Sequence, residues 1–186
     1  MEPADEELML SYARGEARAF EALYTRHKGA LYRFVLRSAR TAGEAEELAQ
    51  EIWMRVIGAR ASYEPRAKFT TWLFSIAHNR LVDHWRAKGL VLVSLDDGGE
   101  DDDPPAEPAA GPEAEPERAL EAAQVAQRLA AAIAALPFTQ REAFLLHQEG
   151  GLTAAEIARA TGTNEEAAKS RVRYAMKKLR EAIGDE

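Results

Sequence analysis

The carboxyl-terminal part of the sequence carries a dense run of cations. Six Lys and Arg residues lie between positions 169 and 180, with no Asp or Glu among them. At helical spacing Ala168, Val172 and Ala175 point to one side, which leaves the cations on the remaining surface. Such a surface can bind DNA phosphates and the acceptor edge of guanine. A basic helix face is often merely solvated, so the choice depends on the neighbouring elements.

Two helix starts lie close together before this basic run. Thr153-Ala-Ala-Glu156 and Thr163-Asn-Glu-Glu166 both fit the capping box, in which Thr caps the helix and Glu reaches back to it. Gly162 permits a tight turn between them. A short helix, a turn and a longer helix over Asn164–Ile183 form the outline of a helix-turn-helix, whose second helix enters the major groove. The sequence therefore predicts a domain that binds duplex DNA.

A second stretch combines aromatic side chains with polar groups and cations. Six of its residues fall within about a 100° arc of a helix: Phe69, Trp72, Ile76, Asn79, Asp83 and Arg86. Rings beside cations suit unstacked, single-stranded bases. The pattern alone fits a core helix with solvated charges equally well.

The sequence offers no enzymatic site. It has no cysteine, which excludes disulfides, thiolate nucleophiles and Cys-based zinc sites. His78 and His84 are about 240° apart around a helix, so they diverge instead of forming a metal pair. His27 and His147 have no evident partners. We therefore expect no catalytic residue, no metal, no cofactor and no small-molecule substrate.

The charges divide the chain into three segments. Of the net charge of −7, residues 1–89 carry +2, residues 90–117 carry −10 and residues 118–186 carry +1. Segment 96–117 holds five of the eight prolines and nothing more apolar than alanine, so it cannot bury enough surface to fold. We interpret 90–117 as a flexible acidic linker. It is either a solvated tether or a segment whose charge occupies a channel built for nucleic acid.

Both flanking segments show apolar residues at helical spacing and no extended alternating pattern. This predicts an all-α fold of two small helical domains. Gly43 and segment 62–65 are the expected joints in the first domain, and Thr70 or Thr71 is the expected cap of its third helix. The acidic N-terminus and the lack of an 18-residue apolar run argue against a secretory signal or membrane span, which favours a cytoplasmic protein.

Three motifs along the chain belong together: Glu44-Ala-Glu-Glu-Leu-Ala-Gln-Glu51, the helix from Trp72 to Arg86, and Leu152-Thr-Ala-Ala-Glu-Ile-Ala with Lys169-Ser-Arg171. In these motifs the chain resembles the sigma factors of bacterial RNA polymerase, and specifically the extracytoplasmic-function group, which keeps only regions 2 and 4. The resemblance implies a promoter-specificity subunit. Residues 1–89 would form the helical bundle of region 2, and residues 118–186 the four-helix domain of region 4.

The resemblance also implies roles for individual residues. An acidic stretch would dock on the clamp helices of the largest polymerase subunit: Glu44, Glu46, Glu47, Gln50 and Glu51. Region 2 would melt and read the −10 element through Ser62, Lys68, Phe69, Trp72, Asn79, Arg80, Asp83 and Arg86. Region 4 would read the −35 element through Thr153, Asn164, Lys169, Ser170, Arg171, Arg173 and Lys177. Further expected partners are the flap of the second-largest subunit and an anti-sigma factor.

Region 4 departs from the family pattern at two places. Ala167-Ala168 replaces the usual Thr-Val, and Arg173-Tyr174-Ala175 replaces the frequent His-Arg-Ala. The −35 sequence preference of relatives is therefore not transferable to this chain.

The alternative function is a stand-alone regulator that binds an operator as a dimer. It would need a dimer interface, but neither the acidic stretch nor the aromatic helix.

Overall fold

The structure is a computed structural model that describes residues 3–89 and 116–184. Within these ranges it contains eight α-helices, one 3-10 turn at Arg60–Ser62 and no β-strand, which confirms the predicted all-α fold. The helices are α1 (Asp5–Ala13), α2 (Ala17–Leu36), α3 (Ala42–Ala59), α4 (Phe69–Ala87), α5 (Pro116–Ala134), α6 (Phe138–Gln148), α7 (Ala154–Thr161) and α8 (Glu165–Ile183). No helix of this described part is long and apolar enough to cross a membrane.

The N-terminal unit consists of α1 to α4, and α1 caps the start of α4. The Glu6 carboxylate accepts a hydrogen bond from the backbone N–H of Phe69 at 2.5 Å. The prediction that Thr70 or Thr71 caps this helix is wrong, because both residues lie inside its first turn. A carboxylate at a helix N-terminus satisfies a free N–H and interacts favourably with the helix dipole. The cap therefore comes from a distant part of the sequence.

The expected joint at Gly43 is also wrong, because this glycine lies in the first turn of α3. The helix begins at Ala42, since the Thr41 hydroxyl accepts a hydrogen bond from the Glu44 N–H at 3.1 Å. Threonine is a favourable N-cap, and a glycine in the first turn does not prevent helix formation. The second expected joint, at 62–65, is confirmed by the 3-10 turn and the loop after it.

The C-terminal unit, α5 to α8, contains the predicted helix-turn-helix. Thr153 and Glu156 form the predicted capping box at the start of α7. Gly162 adopts a left-handed conformation with φ of +68°, which makes the turn before α8. Asn164, one residue after the predicted Thr163, caps α8 by accepting a hydrogen bond from the N–H three residues later at 2.8 Å. Asparagine is the better of these two caps, so the start moves by one residue.

The predicted inward face of α8 is confirmed. Ala168, Ala175 and Leu179 are buried, and α5, α6 and α7 all pack against this helix. The predicted linker lies outside the described residues, except that its end from Pro116 begins α5. Thus α8 is the helix around which the C-terminal unit is built.

The two units contact each other through α4 and α7, and their buried apolar side chains form one continuous cluster. Gly150, in the turn between α6 and α7, lies at this contact. A Cβ placed on Gly150 would come within 2.7 Å of the Leu146 carbonyl oxygen and the Leu152 Cδ1, and within 3.0 Å of the Phe74 Cε2. The absence of a side chain at Gly150 thus lets this turn lie directly against α4.

We predict that Gly150→Ala destabilises the protein by about 1–3 kcal/mol, because the added methyl group must displace backbone as well as side chains. Gly58→Ala is the matched control. Gly58 lies inside α3 with nothing within 4 Å of its Cβ position, so alanine should stabilise the helix by about 0.5–1 kcal/mol. Urea unfolding of both variants measures the difference. A Gly150→Ala protein as stable as wild type would contradict the close contact.

Candidate nucleic-acid and polymerase interfaces

The acidic stretch forms the exposed face of α3. Glu46, Glu47 and Gln50 are exposed, whereas Leu48 and the other apolar residues of this helix point into the core. Met54 lies on the same outward face, one turn beyond Gln50, and is 65 % exposed. An exposed methionine among carboxylates gives this face an apolar contact area as well as negative charge. Both properties suit a surface that binds another protein.

Glu44 occupies a different environment from the rest of this stretch. Its side chain is only 13 % exposed and accepts hydrogen bonds from His84 at 2.8 Å, from Lys88 and from the Arg40 N–H at 2.6 Å. Burial alone would raise the pKa of Glu44, but the Lys88, Arg40 and His84 hydrogen bonds outweigh it and lower the pKa to about 2. In this structure Glu44 therefore joins α3 to α4, which corrects its expected place on the outward acidic face.

Two more ion pairs link α3 to α4. Glu51 pairs with Arg80, which lowers the pKa of Glu51, and Arg55 pairs with Asp83 at 3.2 Å. The sequence assigned Glu51 to polymerase docking, and Arg80 and Asp83 to DNA. In the structure Glu51 binds Arg80, and Asp83 binds Arg55. These two pairs hold α3 and α4 in register. Asp83 remains 55 % exposed, whereas Arg80 is mostly covered.

Phe69 does not lie on the DNA-facing surface that the sequence suggested. It is fully buried, and its ring contacts the rings of His27, Tyr63 and Trp72 with centroid separations of 5.3–6.4 Å. A ring without exposed surface cannot stack on a base, so this part of the prediction is corrected to a core role. Trp72 is only partly buried, so part of its side chain lies at the surface.

A surface cleft of about 410 Å³ lies beside Trp72. The loop before α4 and the first turns of α4 supply Ser62, Glu64, Arg66, Ala67, Thr71, Trp72 and Ser75, and α7 supplies Arg159. The Thr71 hydroxyl is buried and has no hydrogen-bond partner among the described residues. The cleft therefore combines part of an aromatic ring, hydroxyl groups, the Arg159 guanidinium group and an ion pair between Arg66 and Glu64. Rings, hydroxyls and guanidinium groups can bind an unstacked base and its phosphate.

The remaining predicted residues of region 2 are at the surface. Asn79 and Arg86 are exposed on α4. Ser62 donates its hydroxyl hydrogen to the Ala59 carbonyl at 3.0 Å, and Lys68 pairs with Glu156 of α7 at 2.9 Å. The structure thus brings Ser62, Lys68 and Trp72 together at one end of α4. Asn79, Asp83 and Arg86 lie further along the same helix.

The exposed surface of α8 is strongly basic. Arg173, Lys177 and Lys178 are exposed, and Lys169 is 56 % exposed although it pairs with Glu165 at 2.8 Å. That hydrogen bond raises the pKa of the Lys169 ammonium group. Ser170 and Arg171 are partly buried between these cations. Thr153 and Asn164 use their side-chain oxygens as helix caps, so they orient α7 and α8 whether or not they touch DNA.

Each of the two units matches a known protein family. The family model of sigma-70 region 2 matches residues 23–90, and that of sigma-70 region 4 matches residues 126–179. The RNA polymerase sigma factor CarQ of Myxococcus xanthus is 30 % identical over 186 residues, covering 95 % of this chain and 96 % of CarQ. The extracytoplasmic-function (ECF) sigma factor SigK of Mycobacterium ulcerans is 31 % identical over 177 residues, covering 95 % and 91 %. The chain belongs to the ECF sigma factors.

Solved structures share the fold of this sigma factor. CnrH, solved in complex with the cytosolic domain of CnrY, superposes with a TM-score of 0.65 at 22 % identity, covering 96 % of both chains. The sigma factor RpoE of Bartonella quintana, solved with the anti-sigma factor NepR, gives 0.67 at 24 % identity, covering 88 % of this chain and 96 % of RpoE. The two sigma-70 region models and the ECF relatives show that the protein is a promoter-specificity subunit of bacterial RNA polymerase. A stand-alone regulator is not favoured, because both sigma regions are present.

The sequence did not single out several residues of these surfaces. Met54 interrupts the acidic face of α3, and Tyr174 is 50 % exposed on α8, where it stacks with Arg173 at 5.3 Å. Each is a large apolar residue out of phase with the inward stripe of its helix, and this signal was available in the sequence. Thr71 and Arg159 meet at the cleft from different units, and no local pattern indicates that contact.

The environment of Glu44 yields a pH-dependent prediction for this sigma factor. Because its pKa is lowered from the usual 4.5 to about 2, Glu44 stabilises the fold above about pH 4.5, and the contribution is lost as pH falls toward 2. Glu44→Gln should cost roughly 2 kcal/mol at pH 7. Urea unfolding at a series of pH values should show the difference from wild type narrowing below about pH 4.5.

The control for this prediction is Glu46→Gln, which removes an exposed carboxylate two residues along the same helix. Its effect on stability should stay within about 0.5 kcal/mol at every pH. An equal loss of stability in both variants would show that the His84 and Lys88 contacts do not depend on the charge of Glu44.

Proposed function

We propose that this sigma factor binds polymerase through the outward face of α3, the −10 element through the cleft and α4, and the −35 element through α8. The observation that carries the proposal is the separation of three chemically distinct surfaces on one chain. The α3 face is acidic with an exposed Met54, the cleft is aromatic and polar, and α8 is basic. Each surface matches the chemistry of one partner.

The docking surface in this proposal is narrower than the sequence suggested. It consists of Glu46, Glu47, Gln50 and Met54, since Glu44 and Glu51 are engaged with α4. Its partner is the set of clamp helices of the largest polymerase subunit. Region 4 contacts the flap of the second-largest subunit in the same complex. The protein acts in the cytoplasm by binding alone, and the polymerase performs the chemistry.

We also propose that a proteinaceous anti-sigma factor binds this chain. The support is the solved relative from Bartonella quintana, which was crystallised with the anti-sigma factor NepR.

Run-off transcription with core polymerase over a promoter library tests the proposed binding of polymerase and both promoter elements, and it gives the sequences of both elements at once. Transcripts that start at a fixed distance from a shared pair of elements are expected. Their absence with active core polymerase would contradict the proposal.

Replacing Glu47 and Gln50 with Arg should weaken association with core polymerase by at least about tenfold, equivalent to about 1.4 kcal/mol. The reason is charge reversal on an exposed face that contributes nothing to the core. Glu16→Arg/Ala17→Arg changes the net charge by the same amount on the exposed start of α2 and should leave association unchanged. The measurement is the dissociation constant for core polymerase. Equal constants for the two double variants would refute the docking assignment.

Replacing Arg171 and Arg173 with Ala should reduce transcription by about tenfold or more, because one base contact is worth about 1–3 kcal/mol. The loss should disappear on promoters whose −35 element is already altered. Lys178→Ala/Arg180→Ala removes the same charge further along α8 and should cost less. Run-off transcription on paired promoters measures both. If altering the −35 element reduces transcription further in the Arg171/Arg173 variant, these arginines do not recognise the −35 element.

A further inference from the structure

Tyr174 is a large aromatic residue that the fold leaves at the surface of α8. It is 50 % exposed, and it does not belong to the apolar cluster that fills the core of the described part of the chain. Ala175 and Leu179 of the same helix are buried in that cluster. The Tyr174 ring is therefore available to a binding partner of this sigma factor.

Tyr174 ends a strip of uncharged residues along α8. Ala167, Ser170 and Tyr174 follow one another at spacings of three and four residues, so they lie within about 60° of each other around the helix. This uncharged strip is turned away from the buried Ala168 and Ala175. The basic helix thus has an uncharged line on its outer side.

Cations border the uncharged strip on both sides. At helical spacing Arg171 and Lys178 fall on one side of Tyr174, and Arg173 and Lys177 fall on the other. The Arg173 guanidinium group lies over the Tyr174 ring, with its central carbon 5.3 Å from the ring centroid. In the major groove such cations can bind the phosphates while the strip between them faces the base edges.

The position of Tyr174 along α8 is compatible with entry into the groove. It is the tenth of the 19 residues of this helix, so it lies about 14 Å along the axis from the first residue. The major groove is about 12 Å wide, and a recognition helix places its N-terminal part there. Tyr174 therefore lies in the third turn, at the limit of the part of α8 that can contact bases.

The chemistry of the ring selects among the bases. Thymine presents an apolar group in the major groove, its C5-methyl, whereas the other bases present hydrogen-bond donors and acceptors there. An uncharged ring gains most from contact with the methyl group, because both lose contact with water. Tyr174 also stands where the family pattern frequently has arginine, so an apolar contact replaces a charged one at this position.

We propose that Tyr174 recognises a thymine of the −35 element by packing its ring against the C5-methyl group. The contact with Arg173 restricts the ring, so less conformational freedom is lost when DNA binds. This inference rests on the proposed function, because it takes α8 to bind the −35 element. It adds the chemical group that one residue of α8 recognises.

Replacement of single thymines by deoxyuridine tests the inference, because the two bases differ only in the C5-methyl group. Limiting holoenzyme is assayed by run-off transcription on promoters that carry one deoxyuridine at a time in either strand of the −35 element. At one thymine or more, transcription should fall by about threefold to fourfold, which is the effect of one methyl group removed from water. An effect at no thymine, or a −35 element without thymine, would overturn the inference.

Substitution of Tyr174 shows whether its ring makes this contact. Tyr174→Ala should transcribe the thymine promoter about threefold to fourfold less than wild type and should no longer distinguish thymine from uracil at that position. Tyr174→Phe keeps the ring and should distinguish them as wild type does. Loss of this discrimination in Tyr174→Phe would assign recognition to the hydroxyl group and overturn the methyl contact.

Lys178→Ala is the matched control, since it removes an exposed side chain one turn further along α8. It should weaken transcription on both promoters by the same factor and keep the preference for thymine. If Tyr174→Ala behaves in this way as well, its ring contacts the DNA backbone or the polymerase, and the inference is wrong.

The same promoters separate failure of this inference from failure of the proposed function. If wild-type transcription depends on the base pairs of the −35 element but on no thymine methyl group, only the role of Tyr174 is wrong. If active holoenzyme is indifferent to every base pair of that element, the proposed binding of the −35 element by α8 is wrong.

Discussion

The packing of α4 between α3 and α7 is the constraint on which the rest of this structure depends. One side of α4 buries Leu73, Phe74 and Leu81 in the core, and Glu44 and Glu51 bind its polar side from α3. The same helix is the contact for α7 of the C-terminal unit. A helix that must pack on two neighbours has little surface left, so the surface that we propose for the −10 element is confined to the exposed end and edge of α4.

This constraint explains why some site residues were predictable and others were not. The caps and turn of the helix-turn-helix depend on residues within four positions of each other, so the sequence pattern identified them to within one residue. The start of α4 depends on Glu6, which is 63 residues away, and no local pattern indicates it. Interactions between residues that are close in the sequence can be predicted from the sequence, whereas contacts between distant segments can be identified only from the folded structure.

Residues with two compatible roles were the hardest to assign. An aromatic residue such as Phe69 can equally fill a core or stack on a base, and only burial distinguishes these roles. Glu44 similarly suits both a solvent-facing docking helix and a partly buried ion pair. The order of the three motifs along the chain was informative enough to identify the family, although it did not show which side chains face outward. For α8, helical periodicity alone predicted which side chains face inward, and those residues are buried in the structure.

The cap at Glu6 has a consequence for how the domain is defined. The family model of region 2 begins at residue 23, after α1 and the first turns of α2. Asp5 pairs with Arg26 at 2.8 Å and with His27 at 2.7 Å, while its neighbour Glu6 holds the first turn of α4. A fragment cut at the boundary of the family model would lose both Asp5 pairs with α2 and the Glu6 cap at the end of α4 that carries the cleft. The folding unit of region 2 is therefore larger than the segment that the family model matches, and α1 is an integral part of it.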